Sequence, residues 1–101
     1  MPINKKWSVY NKEKVKTVPD VCGVYELADS NGNVLYIGEG RLRERLFSHF
    51  SNAPEPTPGV SLFRCEKTGS KRRCVERQNA LLAEYRRKYG RLPKYNQKSR
   101  G

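Results

Sequence analysis

The sequence contains few of the residues from which metal and thiol sites are most often built. It has one histidine and three cysteines among its 101 residues. Cys22, Cys65 and Cys74 are odd in number and show none of the close spacings that predict a zinc site. With His49 as the only histidine, a histidine-rich metal site is excluded, and a Ser-His-Asp hydrolase would lack its G-x-S-x-G signature. We expect three free and buried thiols.

Apolar and acidic residues are also scarce. Hydrophobic residues make up 36% of the chain, and no apolar run approaches the roughly 20 residues that span a bilayer. Residues 1–6 lack the apolar core of a signal peptide, so we expect a soluble, cytoplasmic protein without a membrane span. Ten acidic residues against 21 lysines and arginines leave a net charge of +11, which indicates an anionic partner such as nucleic acid or an anionic membrane surface.

The length of 101 residues fits one domain with a modest core. Residues 1–20 form a basic arm with no regular pattern, in which Trp7 is expected to be a packing anchor. Residues 22–96 hold the periodic segments, and residues 97–101 form a basic tail. Three prolines and a glycine within residues 51–59 predict a loop. We therefore predict a single domain without internal repeats.

Residues 21–50 carry the densest structural signals. Residues 21–27 and 33–38 are rich in β-branched and aromatic side chains, and turn-forming residues lie between them, which together predict a β-hairpin. Leu42, Leu46 and Phe50 then recur at helical spacing. This segment is expected to fold as strand, turn, strand and helix.

The second half of the chain predicts one further strand and a long helix. Residues 60–66 alternate enough to form a third strand. Ser70 suits the N-cap of a helix that covers residues 71–89 and ends at Gly90.

That helix has one apolar stripe, with Gln78 at its centre. Glu76 and Glu84 lie off the stripe, on faces that we expect to be solvated. The other members of the stripe are Cys74, Leu81, Leu82, Tyr85 and Tyr89.

Four short motifs occur in order within residues 22–96. They are Gly23-Val-Tyr25, Tyr36-Ile-Gly38, Arg45 in the helix that follows, and Pro93-x-Tyr-Asn96. In this order they resemble the GIY-YIG nuclease family, with a volume-conserving valine where the name has isoleucine. The resemblance implies an α/β fold with helices flanking a small three-stranded antiparallel sheet. It also implies a DNA endonuclease that uses one divalent cation, Mg²⁺ or Mn²⁺.

The resemblance further implies which residues carry the chemistry. Tyr25 and Tyr36 are expected to activate water and orient the phosphate, although a tyrosine pKa near 10 makes a poor base unless a cation lies nearby. Arg45 is expected to bind phosphoryl oxygens with a two-pronged hydrogen bond. His49, one helical turn further on, matches a histidine found in some members, and Asn96 is expected to approach the active site.

Two positions depart from the family pattern. In the family, two bulky apolar residues follow the metal-binding glutamate three and four positions later. In this sequence those residues are Leu81 and Leu82, and the residue at the glutamate position is Gln78. Glutamine keeps a carbonyl oxygen but lacks the charge that a hard cation favours, which predicts weak metal binding and slow or absent cleavage. Glu84, twelve residues before Asn96, and Glu76 are the alternative ligands. Glu39 stands where several members carry lysine, so it either weakens the cationic setting or adds a second carboxylate.

Basic residues are expected to bind duplex or structured DNA. Residues 86–100 contain seven of the 21 lysines and arginines, interleaved with tyrosines, which is typical of a phosphate-contacting surface. Two other interpretations stay open: a catalytically silent nucleic-acid-binding module of the same fold, and a small basic RNA-associated protein whose tyrosines only pack. The sequence predicts no oligomeric state. The candidate DNA-contacting residues are Arg41, Arg43, Arg86, Arg87, Lys88, Arg91 and Lys94.

Overall fold

The molecule is built on one antiparallel sheet, and the computed structural model describes residues 3–50, 52–53 and 55–97. Its elements in chain order are strand β1 (Ser8–Val9), helix α1 (Lys12–Lys16), β2 (Cys22–Ala28), β3 (Val34–Arg41), α2 (Leu42–Phe47), β4 (Leu62–Lys67), α3 (Lys71–Tyr89) and a 3₁₀ helix (Lys94–Asn96). The strand order is β1-β4-β2-β3. The predicted α/β fold is confirmed, but the described sheet has four strands rather than three.

The additional strand lies in the N-terminal arm, for which the sequence predicts no regular structure. β1 pairs antiparallel with β4. α1 begins after Asn11, whose side chain accepts a hydrogen bond from the Lys14 amide at 2.8 Å, and it buries Val15. Two strand residues and five helix residues are too few to leave a recognisable period, which is why the prediction for this segment was wrong.

The predicted hairpin is present, with β3 beginning one residue later and ending three residues later than expected. The Asp29 side chain accepts hydrogen bonds from the Asn31 and Asn33 amides at 2.9 and 3.0 Å. Gly32 completes the turn with a φ of +83°, which a residue with a Cβ rarely adopts. Local turn chemistry therefore sets the hairpin, and pairing with β2 carries β3 on to Arg41.

The bounds of α3 are those predicted. The Ser70 side chain accepts a hydrogen bond from the Arg73 amide at 3.2 Å, and Gly90 ends the helix with a φ of +75°. β4 begins two residues later than predicted, and α2 ends three residues earlier. Of the two predicted helices, the one with cap residues at both ends is thus the one whose bounds were predicted correctly.

The two faces of the sheet carry different helices. Tyr25 and Leu27 of β2 pack with residues of α1 and α2, whereas Val24 packs with Leu81 of α3. Tyr36 pairs opposite Leu27 and so shares the face of Tyr25, because side chains alternate along a strand. The two motif tyrosines and α3 consequently lie on opposite faces of the sheet.

α3 buries only part of its apolar stripe. Cys74 and Leu81 are buried, and Gln78 is half-buried. Tyr89, at the end of the helix, is 49% exposed. The last turn of α3 therefore extends past the sheet into solvent.

The cysteines and the tryptophan lie mostly at the borders of the core. All three cysteines are free thiols, but only Cys74 is buried, and Cys22 and Cys65 are half-buried. Trp7 is half-buried with the Arg64 guanidinium 4.1 Å from its ring centroid, as expected of a packing anchor.

Some expectations fall on residues that the structure does not describe. Residues 98–101 of the predicted tail lie outside the described residues, as do Met1, Pro2, Ser51 and Pro54. The described part of residues 51–59 contains neither helix nor strand, as predicted. Within the described residues, none of the helices combines the length and apolarity that crossing a membrane requires.

Candidate active site

Tyr25 and Tyr36 lie side by side on neighbouring strands, above Gly38. Tyr25 pairs directly opposite Gly38, and the two phenol rings have centroids 6.0 Å apart. A Cβ at position 38 would lie 2.4 Å from the Tyr25 hydroxyl oxygen and 2.7 Å from the Tyr36 ring. The glycine of the second motif is therefore what lets both rings lie across the strand.

A chain of hydrogen bonds runs from Tyr25 through His49 to the backbone. Tyr25 Oη and His49 Nε2 are 2.8 Å apart, and His49 Nδ1 lies 2.9 Å from the carbonyl oxygen of Glu55. A carbonyl only accepts, so Nδ1 carries the proton, and in the neutral imidazole Nε2 accepts from the Tyr25 hydroxyl. His49 is 3% exposed, which makes it an internal partner of Tyr25 rather than a surface residue.

Arg45 lies beside the same tyrosine and is paired with Glu55. Arg45 Nη2 donates to Glu55 Oε1 at 2.5 Å, and the two side chains are 32% and 30% exposed. Burial lowers the pKa of Arg45, but Tyr25 and Glu55 outweigh burial and raise that pKa above its usual value. The guanidinium therefore stays charged at the border between the core and solvent.

The Tyr25 hydroxyl is held in its protonated form. Its side chain is fully buried, and burial, reinforced by Tyr36, raises the pKa of Tyr25 well above its usual range, while Arg45 offsets part of this. The cation that was expected to favour the phenolate is present, but burial outweighs it. At neutral pH Tyr25 is a hydrogen-bond donor to His49.

Tyr36 is the more accessible of the two phenols. It is half-buried, and its ring centroid lies 4.8 Å from that of the His49 imidazole. We call Tyr25, Tyr36, Arg45 and His49 the tyrosine-histidine cluster. Within it, Arg45 and Tyr36 can meet a phosphate from solvent, and Tyr25 and His49 can hold a proton behind them.

Asn96 reaches β3 from the outer edge of the sheet. Its Oδ1 accepts from the Ile37 amide at 2.8 Å, and its Nδ2 donates to the Ile37 carbonyl at 3.0 Å. β3 has β2 on one side only, so these two bonds occupy the exposed edge of the strand. Ile37 follows Tyr36 directly, and Asn96 therefore fixes the backbone that carries this tyrosine.

Gln78 approaches β3 from the face opposite to the tyrosine-histidine cluster. Gln78 is half-buried. It lies on the same side of α3 as Lys71, because seven residues make almost two full helical turns. Lys71 Nζ binds both carboxylate oxygens of Glu39 in β3, at 2.9 and 2.8 Å. Glu39 is thus neutralised on the α3 side and supplies no carboxylate to the cluster.

The two alternative metal ligands lie elsewhere on α3. Glu76 is exposed and pairs with Arg72 at 3.4 Å. Glu84 is half-buried rather than solvated, about 9 Å further along the helix axis than Gln78. It lines a cavity whose described lining contains no member of the tyrosine-histidine cluster.

The donor set does not suit a hard divalent cation. Among the described residues, no group of three or more histidine, cysteine, aspartate or glutamate side chains is placed to hold a metal ion. Protein-bound Mg²⁺ relies on one or two carboxylates together with water. Glu55 is paired with Arg45, and Gln78 presents a neutral amide. The residues present therefore fit such a cation poorly.

The candidate DNA-contacting residues fall into two groups at opposite ends of β3. Arg41 pairs with Asp20 at 3.2 Å, and Arg43 donates to the Val18 carbonyl at 2.9 Å. The other group begins in the last turn of α3, beyond the start of β3. The eight residues of β3 themselves span about 23 Å. The exposed residues of the second group are Arg86, Arg87, Lys88, Arg91 and Lys94.

Glu55 is the member of the site that sequence reasoning missed. Its carboxylate holds Arg45, and its carbonyl accepts the hydrogen bond that fixes the tautomer of His49. A single glutamate in a proline-rich loop has no spacing signal. Only the return of that loop over α2 brings it to the cluster, so no pattern in the sequence would have found it.

Comparisons with known proteins found similar sequences, one similar fold and one matching family. UvrABC system protein C of Bacteroides fragilis is 32% identical over 96 residues, which cover 90% of this chain and 15% of the relative. The protein of the same name from Caldicellulosiruptor saccharolyticus is 33% identical over 86 residues, or 77% of this chain and 14% of the relative. This chain thus spans about 15% of the length of these relatives.

The solved structures include the GIY-YIG N-terminal endonuclease domain of UvrC from Thermotoga maritima, bound to its catalytic divalent cation, magnesium. It superposes with a TM-score of 0.65 at 25% identity and covers 84% of this chain and 93% of the solved chain. A family model described as Domain of unknown function (DUF7508) matches residues 1–88. This chain therefore has the fold of a GIY-YIG domain and belongs to the DUF7508 family.

Proposed function

We propose that this domain binds DNA and hydrolyses its phosphodiester bonds slowly, as a GIY-YIG endonuclease in which Gln78 stands at the metal-ligand position. The observation that supports this most is the hydrogen-bonded chain from Tyr25 through His49, next to a charged Arg45. Burying such polar groups costs free energy that an apolar core would avoid. Binding phosphate and transferring protons would require such buried polar groups and would explain why they are present despite this cost.

Arg45 and Tyr36 form the phosphate-facing part of the proposed site. Both are partly accessible to solvent. A guanidinium offers two parallel N–H groups to phosphoryl oxygens and stabilises the charge that builds on them in the transition state. Glu55 holds the guanidinium in place, and the phosphoryl oxygens, which gain negative charge in the transition state, compete for the same N–H groups.

Tyr25 and His49 form the proton-holding part. The Tyr25 hydroxyl donates to Nε2, so its own proton can pass to His49 as the Tyr25 oxygen takes up another, without any side chain changing position. The resulting imidazolium keeps its Nδ1 hydrogen bond to the Glu55 carbonyl. Tyr25 together with His49 can therefore take up a proton, whereas a buried tyrosine without such a partner would keep its own proton and accept no other.

Position 78 limits the reaction in this proposal. Gln78 and the tyrosine-histidine cluster approach β3 from opposite faces, so the proposal requires the phosphate to lie across the free edge of this strand. A bound divalent cation supplies Lewis-acid stabilisation of phosphoryl charge, and the Thermotoga domain is bound to magnesium. The amide of Gln78 carries no charge to hold such an ion. We therefore expect weak binding of Mg²⁺ or Mn²⁺ and a low rate of DNA cleavage.

The substitution Gln78→Glu tests this proposal. It should tighten Mn²⁺ binding by at least about tenfold, because it restores a carboxylate at the proposed ligand position. It should also raise the rate at which supercoiled plasmid DNA is nicked. Calorimetric titration with Mn²⁺ and a gel-based nicking assay measure the two effects independently.

Asn79→Asp is the matched control, since it adds the same charge to the next, exposed position of α3. It should leave both Mn²⁺ affinity and nicking unchanged. In the Gln78→Glu background, Arg45→Ala and Tyr36→Phe should abolish nicking while Mn²⁺ still binds. If Gln78→Glu binds Mn²⁺ no more tightly than Asn79→Asp does, position 78 is not the ligand position and the proposal fails.

A catalytically silent DNA-binding module is the second candidate. Two observations favour it: Tyr25 is fully buried, and the described residues contain no cluster of metal-ligating side chains. In that case wild type and Gln78→Glu should bind duplex DNA equally well and neither should nick it. Equal binding without nicking would therefore decide for the second candidate.

A further inference from the structure

A cavity of about 850 Å³ lies on the α3 side of the sheet, away from the tyrosine-histidine cluster. Trp7 lines it from the N-terminal arm, and Tyr85 and Tyr89 line it from the last turns of α3. The volume is in the upper part of the range of roughly 300 to 1,000 Å³ that is usual for small-ligand sites. The space therefore suffices for one or two nucleotides. We call this cavity the aromatic groove.

The aromatic residues of the groove expose ring surface. Tyr89 is 49% exposed, and its ring centroid lies 4.5 Å from that of Tyr85. Trp7 is half-buried, with the Arg64 guanidinium 4.1 Å from its ring centroid. Arg64 is itself fixed by a 2.6 Å ion pair with the buried Glu26. The groove thus combines a fixed indole with a pair of neighbouring phenols, Tyr85 and the partly exposed Tyr89, whose ring planes are tilted by 43°.

Positive charge surrounds these rings. Lys88, Arg91 and Lys94 line the groove and are exposed. Within the part of the chain that the structure describes, none of the three has a carboxylate at ion-pairing distance. The described lining contains two acidic residues, Glu84 and Glu26, and the latter is paired with Arg64. The groove is therefore complementary to a polyanion.

We propose that the aromatic groove binds unpaired nucleotides of a single DNA strand. A base stacks on the phenols of Tyr89 and Tyr85, and the flanking phosphates contact Lys88, Arg91 and Lys94. In a duplex each base plane is covered by its neighbours, so recessed aromatic faces can be contacted only by bases that are unpaired. This binding does not depend on whether the tyrosine-histidine cluster cuts DNA, and it requires no divalent cation.

The only tryptophan of the chain lies inside the groove and reports its occupancy directly. A short oligothymidylate, added in the presence of a chelator, should quench Trp7 fluorescence in a saturable manner. Tyr89→Ala should weaken oligothymidylate binding by about tenfold, because stacking on one aromatic side chain contributes about that factor. Tyr89→Phe keeps the ring and should bind like wild type.

Lys14→Ala is the matched control for Lys88→Ala, since it removes the same charge from an exposed position on α1, on the other face of the sheet. Fluorescence anisotropy with a labelled oligothymidylate should show weaker binding for Lys88→Ala only. The proposal is overturned if saturating oligothymidylate leaves Trp7 unquenched, or if Tyr89→Ala binds like Tyr89→Phe. It is also overturned if a blunt duplex quenches Trp7 at equal or lower concentration, because paired bases would then be sufficient.

Discussion

At Gly38 the absence of a Cβ decides where two phenol rings can lie. An added methyl group would be 2.4 Å from both Cζ and Oη of Tyr25, which is far inside contact distance. Tyr25 cannot move away, because it is fully buried and bonded to His49. The second motif therefore contributes the space above Gly38 as well as the side chain of Tyr36.

Gly38→Ala should lower the free energy of unfolding by about 2 kcal/mol, since overpacking a well-filled core costs about 1 to 3 kcal/mol. Thermal unfolding monitored by circular dichroism measures the loss. Gly69→Ala is the control for backbone strain alone: Gly69 has a φ of +92°, and a Cβ there would meet nothing within 4 Å. That control should cost about 1 kcal/mol. If the two substitutions cost the same, the collision with Tyr25 is not important.

Single residues were predictable from the sequence where a motif fixes their identity and order. Tyr25, Tyr36, Arg45 and His49 do form one cluster. The burial of Tyr25 was not predictable, because it depends on helices that pack from distant segments. Glu55 was not predictable either, since its role arises from a loop without any periodic pattern.

At the scale of elements, Asn96 joins the end of the chain to the edge strand β3. Its amide group makes the two hydrogen bonds to Ile37 that a neighbouring strand would make. The closing motif therefore acts on the site through the backbone of β3. This explains how a residue after α3 can position Tyr36 through the backbone of the next residue, Ile37.

Asn96→Ala should cost about 1 to 2 kcal/mol of stability, since it removes two partly buried hydrogen bonds. It should also speed hydrogen exchange of the Ile37 amide, which loses its acceptor. Exchange followed by NMR measures this amide individually. Asn96→Asp keeps the accepting oxygen and should preserve protection of the Ile37 amide.

Ser70→Ala is the control for a loss of stability of similar size, because it removes the N-cap of α3 at a cost of about 1 kcal/mol. It should leave the exchange of the Ile37 amide unchanged relative to other amides of β3. If Ser70→Ala and Asn96→Ala accelerate that amide equally, Asn96 contributes only to global stability and does not specifically fix the edge strand.

The elements differ in how well the sequence predicts them, for a physical reason. α3 is long, has one apolar stripe and begins and ends at residues with cap chemistry, Ser70 and Gly90. β1 and α1 are only two and five residues long, and tertiary packing of Val15 and pairing with β4 stabilise them. Local signals specify the first kind of element, and long-range contacts specify the second.

At the scale of the whole molecule, charge was predictable in amount but not in position. The net charge of +11 indicated a polyanionic partner. The sequence did not reveal that the candidate cations separate into two groups at opposite ends of β3. It also did not reveal that Arg41 is already paired with Asp20. Ion pairing within the fold decides which cations remain available for an anionic partner.

Duplex DNA affinity should fall steeply with salt, because each contacted phosphate releases condensed counterions. Seven contacts would give a slope of log affinity against log salt of about −6. Arg87→Ala removes an exposed cation of the second group and should reduce the slope by about 1. Arg72→Ala removes a cation that is already paired with Glu76, so it should change the slope less. Anisotropy titrations at several salt concentrations measure these slopes, and a wild-type slope near zero, or equal slopes for wild type and Arg87→Ala, would show that the end of α3 does not contact phosphates.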